Sequence, residues 1–192
     1  MNFKQLEITG FKSFSEKTNF LIENGLTGIV GPNGCGKSNI VESLRWCMGE
    51  NSAKSMRGTG MEDVIFSGTS NKPSKNISEV ALLLENKNKE GSAQYRDFDE
   101  ISVRRKIEKD KGSKYYINDK EVRARDVQTF FADMSTGAHS PSLISQGRIG
   151  QLVTSKPIDR KSILEEAAGI SGIHARRQEA ETRLNAAENN LK

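Results

Sequence analysis

Eight residues, "GPNGCGKS" at 31–38, restrict this chain more than any other stretch in it. They fit the pattern G-x-x-x-x-G-K-[ST], with Gly31, Gly36, Lys37 and Ser38 on its fixed positions. Glycine allows backbone dihedrals that a Cβ forbids, so successive N–H groups can turn inward on an anion. Lys37 then reaches β- and γ-phosphate oxygens, and the Ser38 hydroxyl ligates Mg²⁺. The flanks agree with this reading. "LTGIV" (26–30) is a short, β-rich apolar run that reads as the strand before such a loop. Ile40, Val41, Leu44, Cys47 and Met48 recur at helical spacing, and Gly49 supplies a stop. The phosphates would lie at a helix N-terminus, where free N–H groups and the dipole favour anions.

A length of 192 residues suits one ordinary domain, or one lobe of a larger one. Hydrophobic residues make up 34% and charged residues 28%, a balance that fits a globular class with a solvated surface. No apolar run approaches the roughly 20 residues of a membrane-spanning helix. The charged, alternating start "MNFKQLEITGF" does not read as a secretory signal. Cys35 and Cys47 lie in the loop and its helix, which suits free thiols in a reducing, cytosolic compartment. The net charge is +4, and residues 101–125 hold nine Lys/Arg against four Asp/Glu. Such a stretch either attracts nucleic acid phosphates or forms an ordinary solvated hairpin.

Leu6 and Ile8 alternate with polar neighbours, and "NFLI" (19–22) follows a polar turn, so both read as strands. "NSAKSMRGTG" (51–60) reads as a loop with two cations. "EVALLLEN" (79–86), "ISVRRKI" (101–107) and "KYYIND" (114–119) read as an antiparallel accessory sheet, and "RDVQTFFADM" (125–134) as a helix. "STGAHSPSLISQGRIGQL" (135–152) reads as a loop. A helix opened by Pro157 and closed at Gly169 follows. Ile173, Ala180 and Ala187, interleaved with Arg177, Leu184 and Leu191, form an a/d pattern. It suits a coiled coil or one amphipathic helix packed on the domain. The pattern has no stop before Lys192, as expected if a longer protein continues.

Hydrolysis needs an acidic residue at the end of an apolar strand, to orient Mg²⁺ and activate water. Glu85, after the apolar run "VALLL", is the best local candidate, and it lacks a paired second acid. A strand-end surface residue is its alternative reading. On residues alone, the chain binds a nucleotide without an evident hydrolytic carboxylate.

"EITGFKSF" (7–14), "GIVGPNGCGKSNIVESLRWCMGE" (28–50), "SAKSMRGTGMEDVIFSG" (52–68), "SQGRI" (145–149) and "RKSILEEAAGI" (160–170) occur in that order. The series closely resembles the N-terminal part of structural maintenance of chromosomes (SMC) proteins, nearest their bacterial, condensin-like branch. The resemblance implies an α/β P-loop NTPase fold: the N-terminal lobe of an ABC-type ATPase head (1–165), with an antiparallel accessory sheet. The start of an ascending coiled-coil helix (166–192) follows. In that family the C-terminal lobe brings an LSGG-type motif and the acidic strand. "FSGT" (66–69) and "ISGI" (170–173) replace neither.

Residue by residue, the resemblance implies ATP and Mg²⁺ as ligands. It places Pro32, Asn33, Gly34, Cys35, Gly36, Lys37, Ser38 and Asn39 around the phosphates, with Lys12 and Ser13 nearby and Asp63 against the base. Gln146 would touch Mg²⁺ and the attacking water through its amide. Arg57 would reach the phosphates in cis, its planar donors suited to developing phosphoryl charge. The implied partners are the C-terminal lobe of the same protein, a second head in a homodimer, a kleisin-type subunit and double-stranded DNA on the nucleoid. Arg104, Arg105, Lys106, Lys120, Arg123 and Arg125 are the DNA candidates, touching phosphates without reading sequence. Gly60, where some relatives carry lysine, weakens a DNA role for that loop. Two rivals remain: a self-contained small phosphotransferase, and a coiled-coil interaction module with a vestigial phosphate loop.

Overall fold

The computed structural model describes residues 1–87, 89, 94–134 and 143, with scattered residues between 150 and 188. Six strands among them form one antiparallel sheet: β1 (Asn2–Thr9), β2 (Thr18–Leu21), β3 (Ile77–Glu85), β4 (Glu100–Glu108), β5 (Gly112–Ile117) and β6 (Lys120–Val122). Their spatial order is β2-β1-β3-β4-β5-β6. Two α-helices accompany them, α1 (Lys37–Cys47) and α2 (Ala124–Asp133).

Successive strand residues point to opposite faces, so period-two sequences bury one face. Both β3 and β4 alternate buried and half-buried residues along nearly their whole length. The register sets Leu6 and Ile8 opposite Leu82 and Val80, and Leu82 and Leu84 opposite Val103 and Ile101. That apolar face receives α1: the Cys47 thiol lies 3.5 Å from Val80 O and 3.4 Å from Val103 O. Trp46 on the same helix is fully buried and tilts against Phe11, with ring centroids 5.5 Å apart. Burial of a side chain of that size stabilises by about 3 kcal/mol relative to exposure. α2 adds Val127, Phe130 and Phe131 to the core beside β5.

β1 ends in a bend that carries the chain towards the phosphate loop. Gly10 has φ 63°, and a Cβ there would meet Ile77 O at 2.3 Å, so only glycine fits. The bend is fixed by Phe66 N donating to Gly10 O (2.8 Å) and Lys12 N donating to Val64 O (2.7 Å). Lys12 and Ser13 thereby come to the N-terminal end of α1.

One expectation needs correction. "LTGIV" does not form a strand: residues 26–30 have no regular structure and are exposed, with Leu26 at 100% and Val30 at 97%. An apolar run without alternation requires strands beside it and cover on both faces. The described residues supply neither, because the sheet closes at β2. The antiparallel sheet expected from the strand runs between 79 and 119 is present, and it is continuous with the N-terminal strands. β1 pairs directly with β3, so the N-terminal strands and the later hairpins are one sheet. Of the proposed coiled-coil positions, Leu191 lies outside the described residues, while Ile173 and Leu184 are exposed.

Candidate nucleotide site

α1 starts at Lys37, directly after Gly36, whose φ of 97° reverses the chain into the helix. Gly34 is also left-handed, at φ 82°, with open space where a Cβ would stand. A Cβ on Gly36 would lie 2.6 Å from Ser13 Oγ, so the loop packs against the bend after β1. The Lys37 ammonium curls back into the loop, donating to Gly31 O (2.5 Å) and Pro32 O (2.6 Å), with Cys35 Sγ at 3.8 Å. Among the described residues no carboxylate pairs with it. A cation held only by neutral carbonyls at a helix N-terminus leaves uncompensated positive charge, which suits a phosphate group. Ser38 is exposed in the first helical turn, where a Mg²⁺ ligand is expected.

The other implied residues form a network around one side chain that sequence reasoning missed. Glu42 is largely buried on α1; it accepts from Lys12 Nζ through Oε2 and forms an ion pair with Arg57 Nε through Oε1 (2.5 Å). Lys12 Nζ also donates to Met56 O (2.5 Å). Arg57 Nη2 donates to Asn39 Oδ1 (2.9 Å), and Asn39 Nδ2 donates to Ser13 Oγ (2.9 Å). The structure thus brings Lys12, Ser13, Asn39 and Arg57 together beside the loop. Lys12 points inward, whereas Arg57 leaves most of its side chain exposed. Glu42 follows Ser38 by four residues and Asn39 by three, the helical spacing that puts them on one face. That spacing was the available signal.

Asp63 is spent on its own loop. Its Oδ2 accepts from Thr59 N (2.6 Å), Thr59 Oγ1 (2.9 Å) and Gly60 N (3.0 Å). The Gly60 and Thr59 amides hold its carboxyl below the usual range. Glu85 is remote: it lies opposite Asn2, whereas the strand end leading to Lys12 lies opposite Glu79. It pairs with Lys87 at 2.8 Å and offers no base to the loop. Gln146 lies outside the described residues.

The DNA candidates divide. Arg105 is buried, and this corrects its place among them. It occupies the apolar face of β4 with Ile101, Val103 and Ile107 because α1 ends there. Nη1 donates to Trp46 O (2.8 Å) and Glu50 O (2.6 Å), and the guanidinium stacks on Trp46 and Tyr115. Burial lowers its pKa to about 10, so it stays charged at neutral pH. Arg104 and Lys106 occupy the opposite face, and Lys120, Arg123 and Arg125 are exposed. Arg104 pairs with Glu79 (3.4 Å) and Asp119 (3.2 Å).

The two thiols should behave differently. Cys35 is exposed in the loop, and Cys47 is buried, its pKa pushed up to about 12 by burial. One thiol per chain is therefore expected to react with a disulfide reagent in the native state, and two in urea. Cys35→Ser should abolish the native reaction, and ATP should slow it. Rapid native labelling of Cys47 would contradict the packing of α1 described above.

Comparison with known proteins places this geometry. The profile of a family described as the RecF/RecN/SMC N terminal domain matches residues 2–147. A chromosome partition protein Smc of Cereibacter sphaeroides is 56% identical over 191 residues, covering 100% of this chain and 17% of that protein. One from Clostridium kluyveri is 46% identical over 191 residues, covering 100% of this chain and 16% of that protein. The chain therefore spans about a sixth of these relatives' length. A solved chain from work on ATP-driven dimerization and DNA-stimulated activation of SMC ATPases superposes with a TM-score of 0.74 at 30% identity. It covers 87% of this chain and 99% of that one. An Smc head bound to the C-winged helix domain of ScpA gives a TM-score of 0.82 at 28% identity, covering 93% and 55%.

Proposed function

This chain belongs to the RecF/RecN/SMC N-terminal domain family, and from that premise we propose that it is the ATP-binding half of an SMC head. The observation that carries the proposal is a glycine-rich phosphate loop at the start of α1 with, among the described residues, no free acid beside it. Among the described residues Glu42 is the buried carboxylate beside the loop, and two cations occupy it. Lys37 and the loop amides would hold the β- and γ-phosphates, and Ser38 with Gln146 would hold Mg²⁺. Arg57 would face the terminal phosphate, and Asp63 would line the base only if it gave up its loop contacts. A bound Mg²⁺ would supply charge neutralisation between the phosphates. The acid that activates water and the LSGG-type motif would come from a C-terminal lobe and from a second head.

In this reading ATP engages two heads, hydrolysis separates them, and the cycle serves chromosome organisation on the cytoplasmic nucleoid. A ScpA-type kleisin subunit is the proposed accessory partner. Residues 1–165 make the lobe and 166–192 begin a coiled coil, which the exposed Ile173 and Leu184 support. Arg104, Lys106, Lys120, Arg123 and Arg125 are the remaining candidates for salt-sensitive contact with DNA phosphates.

The exposed run 26–30 supports packing against a second lobe, because among the described residues no strand lies beside the segment entering the phosphate loop. Val30→Glu is expected to weaken association with a separately produced C-terminal lobe by about 10-fold or more, the worth of one buried valine. Titration calorimetry measures this. Unchanged association would remove 26–30 from the interface.

A further inference from the structure

We propose that Glu42 is a positioning residue for Arg57. It fixes the guanidinium, and through Lys12 the turn that carries it, so that Arg57 meets the terminal phosphate of a nucleoside triphosphate. The proposal rests on the ATP-site reading above and deepens it by naming how the site distinguishes ATP from ADP.

A carboxylate taken out of water is costly unless it is paired and hydrogen-bonded. Glu42 meets that condition with two cations from two different segments. One is Lys12, after the bend that ends β1. The other is Arg57, in the loop after α1. Both cations sit on residues with left-handed backbone, φ 47° and 55°. Such conformations are unfavourable for residues with a Cβ and persist where surroundings impose them. Here Lys12 Nζ bridges Glu42 to Met56 O, the carbonyl just before Arg57. The turn is thereby tied to the helix that carries Lys37 and Ser38.

The orientation of Arg57 follows. Its Nε edge is held by Glu42 and Nη2 by Asn39, which is held in turn by Ser13. One of the five guanidinium donors is used in the hydrogen bond to Asn39, while Nε lies in the ion pair with Glu42. The side chain remains 58% exposed, so its outer edge is free to face a ligand. Asn39 is adjacent to Ser38, which puts this edge one side chain from the phosphate end of α1. Lys37 has no part in the cluster. The geometry therefore separates two tasks. Lys37 and the loop amides hold phosphates common to ATP and ADP, and the Glu42–Arg57 pair senses the third.

The experiment is titration of the chain with MgATP and MgADP. Glu42→Ala is expected to weaken ATP about 10-fold while ADP changes less than about 2-fold. Arg57→Ala should do the same, and the double variant should be no worse than Arg57→Ala alone, because Glu42 acts through Arg57. Glu42→Gln keeps the volume and one acceptor, and so separates lost charge from lost fold. It should weaken ATP by about 5-fold and spare ADP. Equal weakening of both nucleotides, or additive effects of Glu42→Ala and Arg57→Ala, would overturn the proposal. A wild-type chain that binds neither nucleotide, with Lys37→Ala changing nothing, would instead overturn the ATP-site reading beneath it.

Discussion

Lys37→Ala is expected to reduce ATP affinity by about 10²–10³-fold and to leave the fold intact. Hydrogen bonds from a charged group are each worth about 1.5–3 kcal/mol, and the lysine would make two to phosphate oxygens. Together these amount to about 3–6 kcal/mol, and the lower part of that range converts to the stated factor. In the unliganded chain the ammonium binds Gly31 O and Pro32 O, so the variant also loses the tie that curls the loop. Both contacts lie on an exposed loop, so the effect on folding stability is expected to stay under about 1 kcal/mol. Equilibrium binding and urea denaturation of the same preparation check the two halves. No ATP binding by the wild-type chain, with Lys37→Ala changing nothing, would favour the vestigial-loop rival.

Arg105→Ala is expected to cost about 3–5 kcal/mol of folding stability, the usual range when one partner of a buried charge network is removed. The guanidinium meets the last turn of α1 at Trp46 O and the following Glu50 O. Helix C-terminal carbonyls lack intrahelical partners, and a cation there satisfies them and opposes the dipole. The same side chain fills the space between Trp46 and Tyr115. Arg105→Lys should recover little, because one ammonium cannot stack on both rings and bond both carbonyls. Urea midpoints measure the loss. Arg104→Ala should cost under about 1 kcal/mol, since its two ion pairs are partly solvated. If Arg105→Ala left stability unchanged and weakened DNA binding, the surface reading of this residue would return.

Arg105 also shows what was legible in the sequence and missed. In "ISVRRKI" the alternation sets 101, 103, 105 and 107 on one face, and three of these are aliphatic. Period two therefore placed Arg105 inward. The local excess of positive charge argued for the surface, and it prevailed because the buried partner, the end of α1, is far away in sequence. The phosphate loop, α1 and most strands were legible because each signal is local. β6 was missed although its signal is equally local: Asn118 and Asp119, read as the end of a strand, make at φ 49° and 60° the two-residue left-handed turn that Asn and Asp favour. Glu42 was not sought, because its two partners come from distant segments. The failure of "LTGIV" to form a strand has a different cause. Its composition asks for neighbours that no described residue of this chain provides.

The direct test of a split site is steady-state ATP hydrolysis by this chain alone and mixed with the proposed C-terminal lobe, with Lys37→Ala as the blank. Negligible turnover alone, restored on mixing and lost with Lys37, is the predicted result. Robust Lys37-dependent turnover by the chain alone would contradict it and require a hydrolytic acid within these 192 residues.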